Sequence, residues 1–296
     1  MKRKLNVDLV PSIRKLQVVT KGLVKAKGFG NYKSVFKGKG LEFSEYRPYD
    51  RNDDASLIDW KASMRTNQTL VRQYEEERDV NVFFLVDCSA GMIFGSTPKL
   101  KNEYAVELIA SLSFSILDTG DSVGLAMFND KIVKKIYPGK GKGHFYALTR
   151  DLVDPNNYGG GFDFKVATDF ILNYLKQTTV VIVISDFINM NENSINNLEY
   201  LTSKFDTIGV MVRDPRDREL PEDTGQVVIE DPSSKQSLLI EPKLIREVYA
   251  EEIKKQEKWI KEMFLKNRSD FISLTTNESF VKPVLNLFRE RTLKWR

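Results

Sequence analysis

The sequence has one cysteine, Cys88, and one histidine, His144, in 296 residues. A lone cysteine excludes an internal disulfide and suits a reducing compartment. A thiolate nucleophile at Cys88 would need a neighbouring base. The single candidate, His144, is expected in a Gly-Lys surface loop, so a Cys–His enzyme has little to work with. No apolar run approaches the ~20 residues that a membrane span requires. The amino end, MKRKLNVDLVPSIRK, is basic but has no apolar core of signal-peptide length. A cytoplasmic, membrane-free chain is therefore expected. Neither sign of charge dominates: 45 Lys and Arg face 41 Asp and Glu, for a net charge of +4. Interspersed charge is not the clustered footprint of a nucleic-acid surface. The segment from Lys21 to Lys39, with Phe29, Tyr32 and Phe36 among its lysines, keeps nucleic-acid binding as an alternative. Its glycines lead into no Gly-Lys-Ser/Thr, so a phosphate loop is not supported and a solvated loop is expected. There are no internal repeats and no low-complexity segments.

What is present is a hydrophobic fraction of 41% and a rhythm of strands and helices. The chain is longer than one compact core usually needs. Two parts are expected: an amino-terminal annex over residues 1–80 and a larger domain over 81–296. In the annex, Leu9, Ile13 and Leu16 suit one face of a short helix after Pro11. Leu41 to Tyr46 and Thr69 to Tyr74 suit strands. Ser56 to Thr66 suits a short helix with Ile58, Trp60 and Met64 turned inward, which makes Trp60 a buried structural residue. From Asn81 the pattern changes. Val82-Phe83-Phe84-Leu85-Val86 and TTVVIVIS (178–185) are apolar runs of the kind found in strands buried on both faces. Amphipathic helices are expected over 99–118, 145–153, 162–177, 193–204, 241–266 and 279–294, with further strands at 123–128, 131–136, 205–212 and 271–274 and a short one at 227–229. Val123 to Phe128 and Lys131 to Ile136, joined at Asn129-Asp130, form a hairpin. Strands alternating with helices predict an α/β, doubly wound, mostly parallel sheet covered on both faces, with one antiparallel edge strand.

Both apolar runs end in aspartate, Asp87 and Asp186. In a parallel sheet these ends share one edge, where open α/β sheets place ligands. If the strands are neighbours, the carboxylates converge, and the turn Gly159 to Asp163 hangs over the same edge. Asp87 and Ser89 are hard oxygen donors of the type Mg²⁺ prefers. A two-metal hydrolase would need more convergent carboxylates than Asp87, Asp163 and Asp186, and it stands as an alternative only.

These features resemble the von Willebrand factor A-type domain. Its metal-ion-dependent adhesion site uses Asp-x-Ser-x-Ser, a threonine from a Gly-Gly-Thr-Asp-like turn, and an aspartate after a later strand. Upstream, Glu42-Phe43, Arg47, Tyr49, Asp53-Asp54, Ile58-Asp59-Trp60, Ser63, Arg65 and Glu77-Arg78 resemble the signature of the prokaryotic domain-of-unknown-function family fifty-eight, with Asn52 and Ser56 departing from it. The resemblance assigns Asp87, Ser89 and Asp186 to a possible Mg²⁺ site. Gly91 stands where the second serine belongs and Phe162 where the threonine belongs, so the site is degenerate and its metal affinity weakened. The resemblance further implies a non-enzymatic adaptor working with a MoxR-type AAA+ ATPase and an unknown protein client. Contact would run through Asp87, Ser89, Gly91, Phe162, Asp163 and Asp186, with a partner carboxylate completing any bound ion.

Overall fold

The computed structural model describes residues 4–14, 41–50, 53–76, 81–175, 179–222, 225–230 and 236–294. Leu16, the stretch from Lys21 to Lys39, Asn52 and Glu77-Arg78 lie outside the described residues.

A helical turn, α1, covers residues 9–14. Strands β1 (Leu41–Pro48) and β2 (Leu70–Glu76) pair antiparallel as a two-stranded sheet, with helix α2 (Trp60–Thr66) between them in sequence. The larger part is one six-stranded sheet. Its strands are β3 (Asn81–Asp87), β4 (Ser122–Phe128), β5 (Ile132–Gly139), β6 (Thr179–Ser185), β7 (Asp206–Arg213) and β10 (Asp270–Thr275), in the order β10-β7-β6-β3-β4-β5. All neighbours are parallel except β4 and β5, so the hairpin supplies the expected antiparallel edge. A second small hairpin, β8 (Val227–Glu230) with β9 (Ser237–Ile240), leads into the long helix α8 (Pro242–Lys266). The first of these matches the short strand expected at 227–229, whereas the second lies outside the expected strands.

The helices cover both faces of the large sheet, and strand β3 shows why. Its side chains alternate, so period-two geometry divides them between two cores. Val82, Phe84 and Val86 join a core filled by α3 (Lys101–Asp118), α4 (Gly141–Val153) and α9 (Val281–Lys294). Phe83 and Leu85 join the opposite core with α5 (Phe164–Tyr174), α6 (Asn193–Lys204) and α8 (Pro242–Lys266). Helix α3 differs from the rest. Every residue from Lys101 to Ser113 is buried. Part of its cover is the amino-terminal segment: Glu103 accepts a hydrogen bond from the Asn6 amide at 2.6 Å, and Glu107 accepts one from the Asp8 amide at 2.5 Å. Such buried carboxylates are tolerated because the otherwise unpaired amides of an extended segment partner them.

Two expectations fail here. Trp60 is 65% exposed and Met64 79% exposed. The inward face of α2 is polar instead. The Asp59 carboxylate caps the helix through the Lys61 and Ala62 amides and accepts the Tyr46 hydroxyl at 2.9 Å. The Ser63 hydroxyl donates to the Asp59 carbonyl and accepts from the Leu70 amide. Hydrogen bonding to β2, and not burial of apolar area, sets which side of this two-turn helix faces in. His144 also differs. It lies on α4, not in a loop, and its Nε2 is 2.6 Å from the Val123 carbonyl.

Candidate functional site at the carboxyl edge of the sheet

Strands β3 and β6 are hydrogen-bonded neighbours, in register from Asn81–Thr179 to Val86–Ile184. Their terminal aspartates therefore meet on one edge. The glycine turn reaches the same place: the Ala90 amide donates to the Gly160 carbonyl at 3.0 Å, and the Gly159 amide to the Cys88 carbonyl at 2.8 Å. That turn needs glycine. Gly160 has φ +86°, and a Cβ there would lie 2.7 Å from the Asn129 side-chain nitrogen.

The carboxylates are sealed. Asp87 is 0%, Ser89 1% and Asp186 2% exposed. Asp87 accepts the Ser89 amide at 2.8 Å and the Ser185 hydroxyl at 2.6 Å. Burial, seconded by the charge of Asp186, pushes its carboxyl up to about 7 in spite of those bonds. Phe187, next after Asp186, holds φ +53° although it is a buried aromatic. A left-handed non-glycine residue costs about 1–2 kcal/mol. Packing against Phe264 and Phe271, and a hydrogen bond from its amide to the Ser185 hydroxyl, hold it there. The chain thus bends sharply where it presents Asp186.

What Asp186 meets was not foreseen. The Lys101 ammonium, 1% exposed, lies 2.6 Å from Asp186 Oδ2 and 3.0 Å from Asp217 Oδ2. Asp217 sits in α7 (Pro215–Arg218), after β7. Burial raises the Asp217 carboxyl, and Lys101 works against that rise. Asp214, the cap of the same turn, is drawn into the network: burial alone would raise it, but the Ser96 hydroxyl at 2.5 Å and amide at 2.7 Å leave its carboxyl below the ordinary range. The loop after β3 is thereby pinned across the edge to β7. A lysine at the start of a helix reads in sequence as solvated, and its partner Asp186 is 85 positions away.

These residues do not fit a divalent ion. Asp186 is already paired with a cation. Gly91 and Phe162 bring no side-chain oxygen, and Phe162 packs against Phe128 and Phe164. Asp163 turns away and caps α5 through the Lys165 and Val166 amides. An ion sharing Asp186 with Lys101 would stand about 5 Å from the ammonium, a repulsion of roughly 7 kcal/mol at an effective dielectric near 20. Among the described residues no group of three or more His, Cys, Asp or Glu is placed to hold a metal.

A Cys–His pair is also ruled out by geometry. The buried Cys88 thiol lies 3.1 Å from the Phe128 carbonyl at the end of β4, whereas His144 is bound to Val123 near its start. Five residues of strand separate the two anchors, about 16 Å. The loop that carries Gly91 exposes two large apolar side chains, Ile93 at 41% and Phe94 at 43%.

Residues 45–259 match the family described as "Protein of unknown function DUF58". The chain is 28% identical over 228 residues to the uncharacterized protein Rv1480 of Mycobacterium tuberculosis, covering 76% of this chain and 71% of that one. Among solved structures it resembles BatB from Bacteroides thetaiotaomicron, with 14% identity, 72% of this chain and 99% of that one covered, and a TM-score of 0.44. It also resembles a von Willebrand factor type A protein from Catenulispora acidiphila, with 10% identity, coverage of 76% and 44%, and a TM-score of 0.37. No helix among the described residues is long and apolar enough to cross a membrane.

Proposed function

The chain belongs to the DUF58 family, and from that premise we propose that it is a non-enzymatic interaction module that binds a protein partner through the loop at the carboxyl edge of its large sheet. The observation that carries this reading is the exposed pair Ile93 and Phe94. Large apolar side chains placed side by side on a loop at the ligand-binding edge of an α/β sheet are the usual mark of a contact surface. The buried carboxylates shape the loop and do not touch the partner, so capture of a partner's carboxylate by Asp87 or Asp186 is not part of the reading. The partner we propose is a MoxR-type AAA+ ATPase, acting with the chain on a third, client protein. The resemblance of the segment from Glu42 to Phe94 to its family supports that choice.

The test is co-elution of the purified chain with a cognate MoxR-type ATPase in ATP, ADP and nucleotide-free states. A complex is expected in at least one state. The double variant Ile93→Ser, Phe94→Ser should weaken it by about tenfold or more, near 1.4 kcal/mol, while the chain stays folded at the assay temperature. No complex in any state would overturn the choice of partner. A complex that the double variant forms equally well would overturn the choice of surface.

A further inference from the structure

The edge has the carboxylates of a metal site, and one of them, Asp186, is already paired with an ammonium. We propose that the Lys101 ammonium is the resident cation of this site, built into the chain in place of a divalent ion, so that the edge holds its shape without metal.

The geometry is specific. Lys101 reaches two carboxylates from separate elements, Asp186 at 2.6 Å and Asp217 at 3.0 Å, and all three side chains are at most 7% exposed. The ammonium also lies 5.6 Å from the centroid of the Phe94 ring, so the exposed loop packs over it. The Lys101 amide donates to the Phe94 carbonyl at 2.9 Å, which closes the loop on the same residue. Position 91 faces the same oxygen. A Cβ at Gly91 would lie 3.1 Å from Asp186 Oδ2 and 3.7 Å from Ser89 Oγ. A hydroxyl carried there would compete for the oxygen that Lys101 holds. The missing serine oxygen and the internal ammonium are thus one change: the site gives up a neutral ligand and takes in a positive charge. The ammonium satisfies Asp186 and Asp217 together by charge-assisted hydrogen bonds, without any ion to lose. The inference concerns the site alone and stands whether or not the ATPase is the partner.

The experiment uses the full chain with Mn²⁺ and Mg²⁺ as probes. Melting temperature is followed against metal concentration, and Mn²⁺ binding by electron paramagnetic resonance. The native chain should show a flat melting temperature and no bound Mn²⁺ that Asp186→Asn removes. Lys101→Ala should melt lower, and Mn²⁺ should restore part of the loss, more so in Lys101→Ala, Gly91→Ser. That rescue should vanish when Asp186→Asn is added. Lys101→Arg, which keeps the positive charge, should stay insensitive to metal. Binding of Mn²⁺ by the native chain that depends on Asp87 and Asp186 would overturn the proposal, and this measurement needs no variant of Lys101 to fold. So would a folded Lys101→Ala, Gly91→Ser variant that takes up no metal. Should that pair not fold without metal, refolding in Mn²⁺ supports the proposal, and failure to refold in Mn²⁺ overturns it.

Discussion

Burying Lys101 is expensive, because an ammonium taken out of water loses several kcal/mol of hydration. The cost is met by placing it between the carboxylates of Asp186 and Asp217, and burial raises the Asp217 carboxyl while Lys101 works against that rise. Each charge is tolerable only because the others are there. Trp60 presents the opposite case, a large apolar residue left in water. Its neighbours Asp59 and Ser63 carry the contacts that fix α2 against β2. Replacing Trp60 with Ser should therefore change stability by less than about 0.5 kcal/mol, as at other surface positions free of special contacts. Urea unfolding checks this; a loss above 2 kcal/mol would show that the indole packs in solution.

At the scale of elements, α3 is the centre of the molecule. Its first turn holds the carboxyl edge through Lys101, and its second turn holds the amino-terminal segment through Glu107, which also accepts the Ser12 hydroxyl at 3.0 Å and pairs with Lys99 at 2.5 Å. Glu107→Ala would leave the Asp8 amide, the Ser12 hydroxyl and the Lys99 ammonium without this partner. A loss of about 2–3 kcal/mol is expected. Amide exchange in the peptide covering residues 4–14 should speed up markedly, while exchange in β3 stays slow. Unchanged exchange in that peptide would mean that other contacts hold the segment. The sequence made α3 legible as a helix through the spacing of Leu100, Tyr104, Leu108 and Leu112. It did not reveal that the helix is covered on all sides, because the cover includes a segment some hundred positions away in the chain.

Across the whole molecule the two ends of the sheet do different work. The carboxyl edge carries the site. The amino edge is closed by Arg291 of α9, which is 1% exposed and bridges Asp206 at the start of β7 and Asp270 at the start of β10. Removing a buried cation strands its partners. Asp206 is partly exposed, so the penalty falls at the low end of the usual range, and Arg291→Leu should cost about 3 kcal/mol. Partner binding, measured below the melting temperature, should be unaffected, since a strand of about seven residues puts more than ~20 Å between Arg291 and the loop at Ile93. Loss of binding by a folded Arg291→Leu chain would mean that the two edges are coupled.

The sequence by itself determined the central strands, the aspartates at their ends and the order of strand and helix. These follow from local facts: apolar runs too long and too β-branched for a surface, ended by a small polar turn. It also displayed the two departures, Gly91 and Phe162. The tertiary structure alone decided what fills the site, because Lys101 meets Asp186 and Asp217 only once β6, β7 and α3 share an edge. It decided as well that Trp60 faces water, since the short α2 is oriented by the hydrogen bonds of Asp59 and Ser63. Hydrophobic pattern reports which residues gain from leaving water; where a buried charge finds its counter-charge depends on contacts between distant segments, and those exist only in the folded chain.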